Sequence, residues 1–442
     1  LALGTGLTLA QQIAAILDVL KAKGGSALTV SSITGGGNPP TVPGGSTGEL
    51  IIAGSVGAGV PIPSSYSYVV NVDSSRATIG AANQSIISGT VGGTFYDSGN
   101  ATVAAAGGND QILLSGSGYF GAVDGGGNDT IFASGSGTIS GGSGANILSA
   151  GSTSTSSNMI FSQGVGDFVA AQGGAVTVAA SGTSTGVLGS GATSLTAFNT
   201  GAGTTISAGT ANTTVVNSSS MVFVGGPAGS TIYGATGGTQ TVFGGTGALT
   251  YFTGATQGTV VGGTVSPTLV GGAGGSVVYA GNSVGATFLA GSGNETIDAS
   301  LSTQNDLLVG GTDPTGSNYM AAGSGNDTLF AGAGAGSLYG GAGSDIFAFF
   351  KATTTGQSNY IFNFTSSDSL FLVGYGAGEA ATALVNGTSS TLTLNGGAST
   401  EPAFTIALPD NTKITFVGFT TLVTNNVEDF PYRPLLSHVF ST

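Results

Sequence analysis

Short apolar runs punctuated by glycine set the pattern of this chain. Thr231-Ile232-Tyr233, Thr241-Val242-Phe243, Thr259-Val260-Val261 and Ser276-Val277-Val278-Tyr279 are β-branched and aromatic stretches, and paired glycines separate such runs every nine to ten residues. Runs of this length between turn residues predict short strands. Residues 322–348 sharpen the pattern into three consecutive nonapeptides, AGSGNDTLF, AGAGAGSLY and GGAGSDIFA. Glycines at the second and fourth places permit a tight turn, and an apolar residue at the seventh or eighth starts a strand that points inward. A chain built this way winds, and two nonapeptides per turn place Asp327 and Asp345 one above the other. The resulting column of carboxylates suits a hard cation with oxygen ligands.

The predicted fold is therefore all-β, a parallel β-solenoid with a short N-terminal helix and a C-terminal β region. The helix is expected at residues 8–23, where Thr8 and Gln11 form a capping box, Ile13, Ile16, Leu17 and Leu20 repeat at helical spacing, and Gly24 closes the element. Its apolar stripe suits a lid over the open end of the first turn or a clasp on a neighbouring molecule. GGGNPPTVPGG then reads as a linker, because its prolines forbid helix and discourage strand. Three domains follow: residues 1–45 for helix and linker, 46–350 for the glycine-rich solenoid with turns of about 18 to 20 residues, and 351–442 for the C-terminal β region and an extended tail.

The nonapeptides resemble the GGxGxDxUx unit, U being a large apolar residue, of the repeats-in-toxin family, also called hemolysin-type calcium-binding repeats. Residues 340–348 fit at every place, and residues 124–132 lack only the first glycine. Residues 105–113 fit less well, and at the aspartate place Glu295, Asn318 and Asn146 stand in other copies. The segment after the last repeat, NYIFNF followed by DSLFL, is similar to the one that ends type I secretion substrates, with Asn363 where the family has aspartate. Residues 409–418 read as the turn and second strand of a hairpin typical of that region. The resemblance implies a β-roll with calcium between turns, exported by the type I pathway to the extracellular space or the bacterial cell surface.

For calcium the candidate ligands are Asp327 and Asp345, then Asp110 and Asp129, which are nineteen residues apart, with carbonyl oxygens of the glycine loops completing the set. The competing reading is a degenerate repeat in which stacking has replaced metal, and Gly336, Asn318 and Asn146 favour it.

Composition narrows the choices further. Eighty-three glycines in 442 residues would suit a disordered coil, but hydrophobic residues at 40% are too many for one. Six Lys and Arg against twenty Asp and Glu, a net charge of −14, leave no basic face for nucleic acid or for an anionic membrane. Cysteine is absent, so disulfides and thiolate metal sites are excluded. No run approaches the roughly 20 apolar residues of a membrane-spanning helix. Between Phe168 and Asn294 no residue is charged, so carboxylate ligation is confined to the ends of the repeat region.

The one histidine, His438, stands near the terminus, which argues against a histidine-dependent triad. The expected protein is not an enzyme. It is a secreted structural protein that assembles with copies of itself into an extracellular filament, matrix fibre or surface layer, with calcium at the terminal repeats as a possible control on folding. A second reading is a monomeric adhesin or polysaccharide-binding protein carrying Tyr233, Tyr251 and Tyr279 on one face. A third is a β-helical carbohydrate-active enzyme using Asp124 with Asp129, or Asp306 with Asp313.

Overall fold

The computed structural model describes residues 28–34, 38–52, 60–72, 78–89, 91–183, 185–255, 257–273, 276–281, 284–394, 399–422 and 426–430. The helix predicted at residues 8–23 and most of the tail after residue 422 lie outside these. The chain divides into two units, residues 1–212 and 213–442, and each is a parallel β-solenoid.

In the first unit, strands alternate between two sheets. Gln111–Leu114 pairs in parallel with Thr130–Ala133 and passes over the intervening Tyr119–Asp124, which pairs with Ser136–Gly141. Each turn thus adds one strand to each sheet. Alternation then decides what faces in: Gln111–Leu114 buries Ile112 and Leu114 and exposes the residues between. Because the strands stack in register, Ile112, Ile131, Leu148, Val169, Val187 and Ile206 form one buried column, with one aliphatic side chain per turn. Each contributes about 1.5–3 kcal/mol by leaving water.

The second unit follows the same rule with larger side chains. Ile232, Tyr251, Leu269, Phe288, Leu308 and Leu329 succeed one another inward. Tyr251 and Tyr279 are both fully buried, which corrects the expectation that they line a ligand-binding face with Tyr233. The Tyr251 hydroxyl donates to Gln240 Oε1 at 2.6 Å and the Tyr279 hydroxyl to the Val284 carbonyl at 3.1 Å. Of the three, Tyr233 alone is exposed.

Outside the inward columns lies a second regularity. Six consecutive parallel pairings link seven strands from Asn212–Asn217 to Thr328–Phe330. Their outward positions form two columns: threonine from Thr214 to Thr328, interrupted once by Leu307, and an apolar residue at every turn from Val216 to Phe330.

The second unit ends in a more varied β region. Ser358–Phe362 continues one sheet and pairs in parallel with Lys413–Val417. Lys413–Val417 is also antiparallel to Ser399–Ala407, the expected hairpin, and Ser399–Ala407 is antiparallel to Thr388–Leu394. A helix not expected from the sequence, α1 (Glu379–Val385), intervenes. Asp429 holds its start, accepting the Gly378 and Ala380 amides at 2.7 and 2.8 Å.

Candidate metal centre

The sixth residue of the nonapeptide falls at the corner just before a strand, and register places it directly under its equivalent one turn away. In the second unit Asp306, Asp327, Asp345 and Asp368 occupy this column and all are buried. Each carboxylate reaches back one turn. Asp306 Oδ1 accepts the Ala286 amide at 2.7 Å, Asp327 Oδ1 the Asp306 amide at 2.6 Å, Asp345 Oδ1 the Asp327 amide at 2.9 Å, and Asp368 Oδ1 the Asp345 amide at 2.8 Å.

The first unit repeats the device. Asp110 Oδ1 accepts the Gly93 amide at 2.5 Å, Asp129 Oδ1 the Asp110 amide at 2.6 Å, Asn146 Oδ1 the Asp129 amide at 3.0 Å, and Asp167 Oδ1 the Asn146 amide at 2.8 Å. Where the column continues as Thr185 and Thr204, the hydroxyls fold back onto their own turns, donating to the carbonyls of Gly182 and Gly201.

Where asparagine precedes the aspartate, it works in the opposite sense. Asn109, Asn128, Asn305 and Asn326 extend their Oδ1 atoms forward to accept amides of the following turn, at 2.8–2.9 Å. An Asn-Asp pair therefore ties its turn to both neighbours. The corner itself needs glycine: Gly127 has φ +135°, and a Cβ there would overlap the Gly108 carbonyl oxygen.

This stitching uses only one oxygen of most carboxylates. Oδ2 of Asp129, Asp306, Asp327 and Asp345 is buried with no donor in hydrogen-bond geometry, although the Ser302 hydroxyl lies near Asp306 and the Gly323 amide near Asp327. A charge-assisted bond to an amide contributes about 1.5–3 kcal/mol, and an orphaned buried acceptor costs about as much, more when it is charged. The two terms nearly cancel, so the ionised ladder gains little without a further partner.

Burial raises the carboxyls accordingly, Asp327 to about 7 and Asp345 to about 6. The Asp306 and Gly323 amides oppose the rise at Asp327 and the Asp327 amide opposes it at Asp345, while the neighbouring aspartates add to it. Asp306 is raised by burial as well. Asp368 is different, because its Oδ2 accepts the Thr365 amide at 2.6 Å. It closes the column, five residues after Asn363.

A third acid joins Asp110 and Asp129. Asp124 is buried at the end of Tyr119–Asp124, and one carboxylate oxygen from each of Asp110, Asp124 and Asp129 lies within 4.8 Å of the others. Burial, then the hydrogen bond and charge of Asp129, push Asp124 up to about 8. The sequence reading did not count Asp124 among the metal candidates. The strand's alternation was the available signal, since it turns Phe120, Ala122 and Asp124 inward together. The same burial excludes Asp124 and Asp129 as a glycosidase pair, because no sugar reaches them.

The residues fit a hard cation: several buried carboxylate oxygens lack a donor in hydrogen-bond geometry, and the ligand atoms are all oxygen. Asp327 with Asp345, and Asp110 with Asp124 and Asp129, are the groups that would hold it. In the other sheet of the second unit Glu295, Asn318 and Gly336 fall in one column, so repeats without aspartate at this place stack together.

Comparison with known families agrees with this chemistry. The model of the RTX calcium-binding nonapeptide repeat, in four copies, matches residues 133–153 and 315–347. The second stretch contains Asp327 and Asp345, and the first contains Asn146. No curated protein matches the chain.

Proposed function

We propose that this chain, which carries hemolysin-type calcium-binding repeats, is a secreted, non-enzymatic structural protein that completes its fold with calcium and then assembles with copies of itself outside the cell. The observation that carries the reading is the half-used carboxylate ladder, in which one oxygen of each of four aspartates stitches turns together while the other is buried without a donor. In low calcium such a ladder is close to neutral in free energy. In millimolar calcium the orphaned oxygens gain a partner, so the rigid form belongs to the extracellular medium. Type I export, which passes unfolded chains, suits a protein of this kind.

Assembly is the second half of the proposal. It is supported by the uncharged stretch from Phe168 to Asn294, which leaves strand-rich flanks without the repulsion that keeps sheets apart. The adhesin reading loses two of its three aromatic residues to the core.

The test is electron microscopy and sedimentation of the full chain in calcium and in chelator. Ordered polymers in calcium that disperse in chelator are expected. Protein that stays monomeric in calcium across its soluble range would refute the assembly reading.

A further inference from the structure

The two outward columns of the second unit make a face with a fixed period. Threonine lines one side and apolar side chains line the other, at one of each per turn apart from Leu307, with turns about 4.8 Å apart and columns about 7 Å apart. Val216, Tyr233 and Leu289 are 41%, 44% and 37% exposed. No outward residue of these seven strands is charged.

We infer that this face binds the same face of a second copy of the chain, with the two solenoids running antiparallel. The inference rests on the assembly reading above and gives it a contact. Three observations select the occupant. The chain carries a net charge of −14, so copies repel except where a surface holds no acid, and this face holds none.

Its ring faces are already used. Tyr233 and Phe252 stack 5.0 Å apart and 6° from parallel along the column, so their edges point outward and offer a sugar no open face to stack on. The decisive point is the period. A partner that meets every turn must repeat at the same spacing, and a second copy does so by construction.

Symmetry fixes the orientation. A two-fold axis along the strand direction sets threonine against threonine and apolar against apolar, with Thr268, on the fourth of the seven strands, beside the axis. An axis along the columns would instead set each threonine against an apolar side chain. The face measures about 34 by 14 Å, close to 1,000 Å² over both copies, which is the lower limit for a specific contact. A pair of this size is weak alone and gains from repetition in a polymer.

The chain has no cysteine, so single substitutions report the contact cleanly. In calcium, under mild oxidation, Thr268→Cys is expected to form a covalent dimer at least tenfold above Thr259→Cys, which is exposed on the other sheet. Thr214→Cys and Thr328→Cys are expected to cross-link when mixed and not when separate. Thr268→Lys sets like charges together at the axis and is expected to weaken association at least tenfold, whereas Thr259→Lys is not. Polymers that form without the Thr268→Cys cross-link would overturn this face and leave the assembly reading standing. Thr214→Cys cross-linking to itself as well as Thr268→Cys would overturn the antiparallel arrangement. Monomer under all conditions would overturn both readings.

Discussion

Replacing Asp327 with asparagine separates the two jobs of the ladder. Asn146 shows that an amide can do the stitching, since it accepts the Asp129 amide through Oδ1 and donates its Nδ2 to the Gly142 carbonyl at 3.2 Å. Gly323 holds the corresponding place in the Asp327 repeat. The Asp327→Asn variant should therefore keep its bond to Asp306 and lose the orphaned charge.

The magnitude follows from the carboxyl's rise from 3.8 to about 7. At about 1.36 kcal/mol per pKa unit, ionising it in the fold costs at most about 4 kcal/mol. A carboxyl with a raised folded pKa binds more protons folded than unfolded. Its contribution to stability is thus fully present below about pH 4 and is lost as pH climbs through about 7.

Losing a charge-assisted bond costs the variant about 1–2 kcal/mol. In chelator near pH 8 the variant should be more stable than the parent by about 2 kcal/mol, and near pH 4 this advantage should vanish or reverse. Thermal unfolding followed by circular dichroism at both pH values, in chelator and in calcium, measures this. Calcium should raise the parent's midpoint more than the variant's. A variant less stable than the parent in chelator near pH 8 would refute the claim that this oxygen is orphaned.

Three further outcomes are expected. Asp124→Ala should lower the calcium stoichiometry or affinity measured by titration calorimetry, while Asp313→Ala, at a half-exposed loop acid, should change neither. Gly127→Ala should destabilise the first unit by about 3 kcal/mol or more in thermal unfolding, because it combines a positive φ with overlap on the Gly108 carbonyl. Tyr251→Phe should cost about 1–2 kcal/mol by denaturant unfolding, since the Gln240 oxygen loses a buried donor.

Much of the fold was legible because its signals are local. Glycine at the corners, β-branched residues between them and a fixed nonapeptide length are enough to predict turns, and the stacking of Asp327 on Asp345 follows from counting eighteen residues. What escaped was the phase of individual strands. In Leu249–Phe252, Tyr251 and Phe252 are adjacent aromatics, and nothing local says which one turns inward; a shift of one residue exchanges them. Asp124 escaped for the same reason, being read as a place in a repeat and not as the inward end of a strand.

The aspartates were read as ligands by their spacing and their asparagine neighbours not at all, because the hydrogen bonds of both reach seventeen to twenty-one residues along the chain. Helix α1 has no strong apolar period to announce it, and Asp429, which caps it, lies 49 residues beyond Ala380.

The opposed reach of asparagine and aspartate has a mechanical consequence. A stack of Gly, Ser, Thr and Ala turns has few distinctive side chains at its corners, so a coil could slip against its neighbour by two residues, which keeps the same face inward, at less cost than by one. A pair that grips the coil above and the coil below from adjacent residues cannot slip without releasing both. Within each unit the acid-bearing coils act as indexing pins, and the plain coils beside them inherit their alignment.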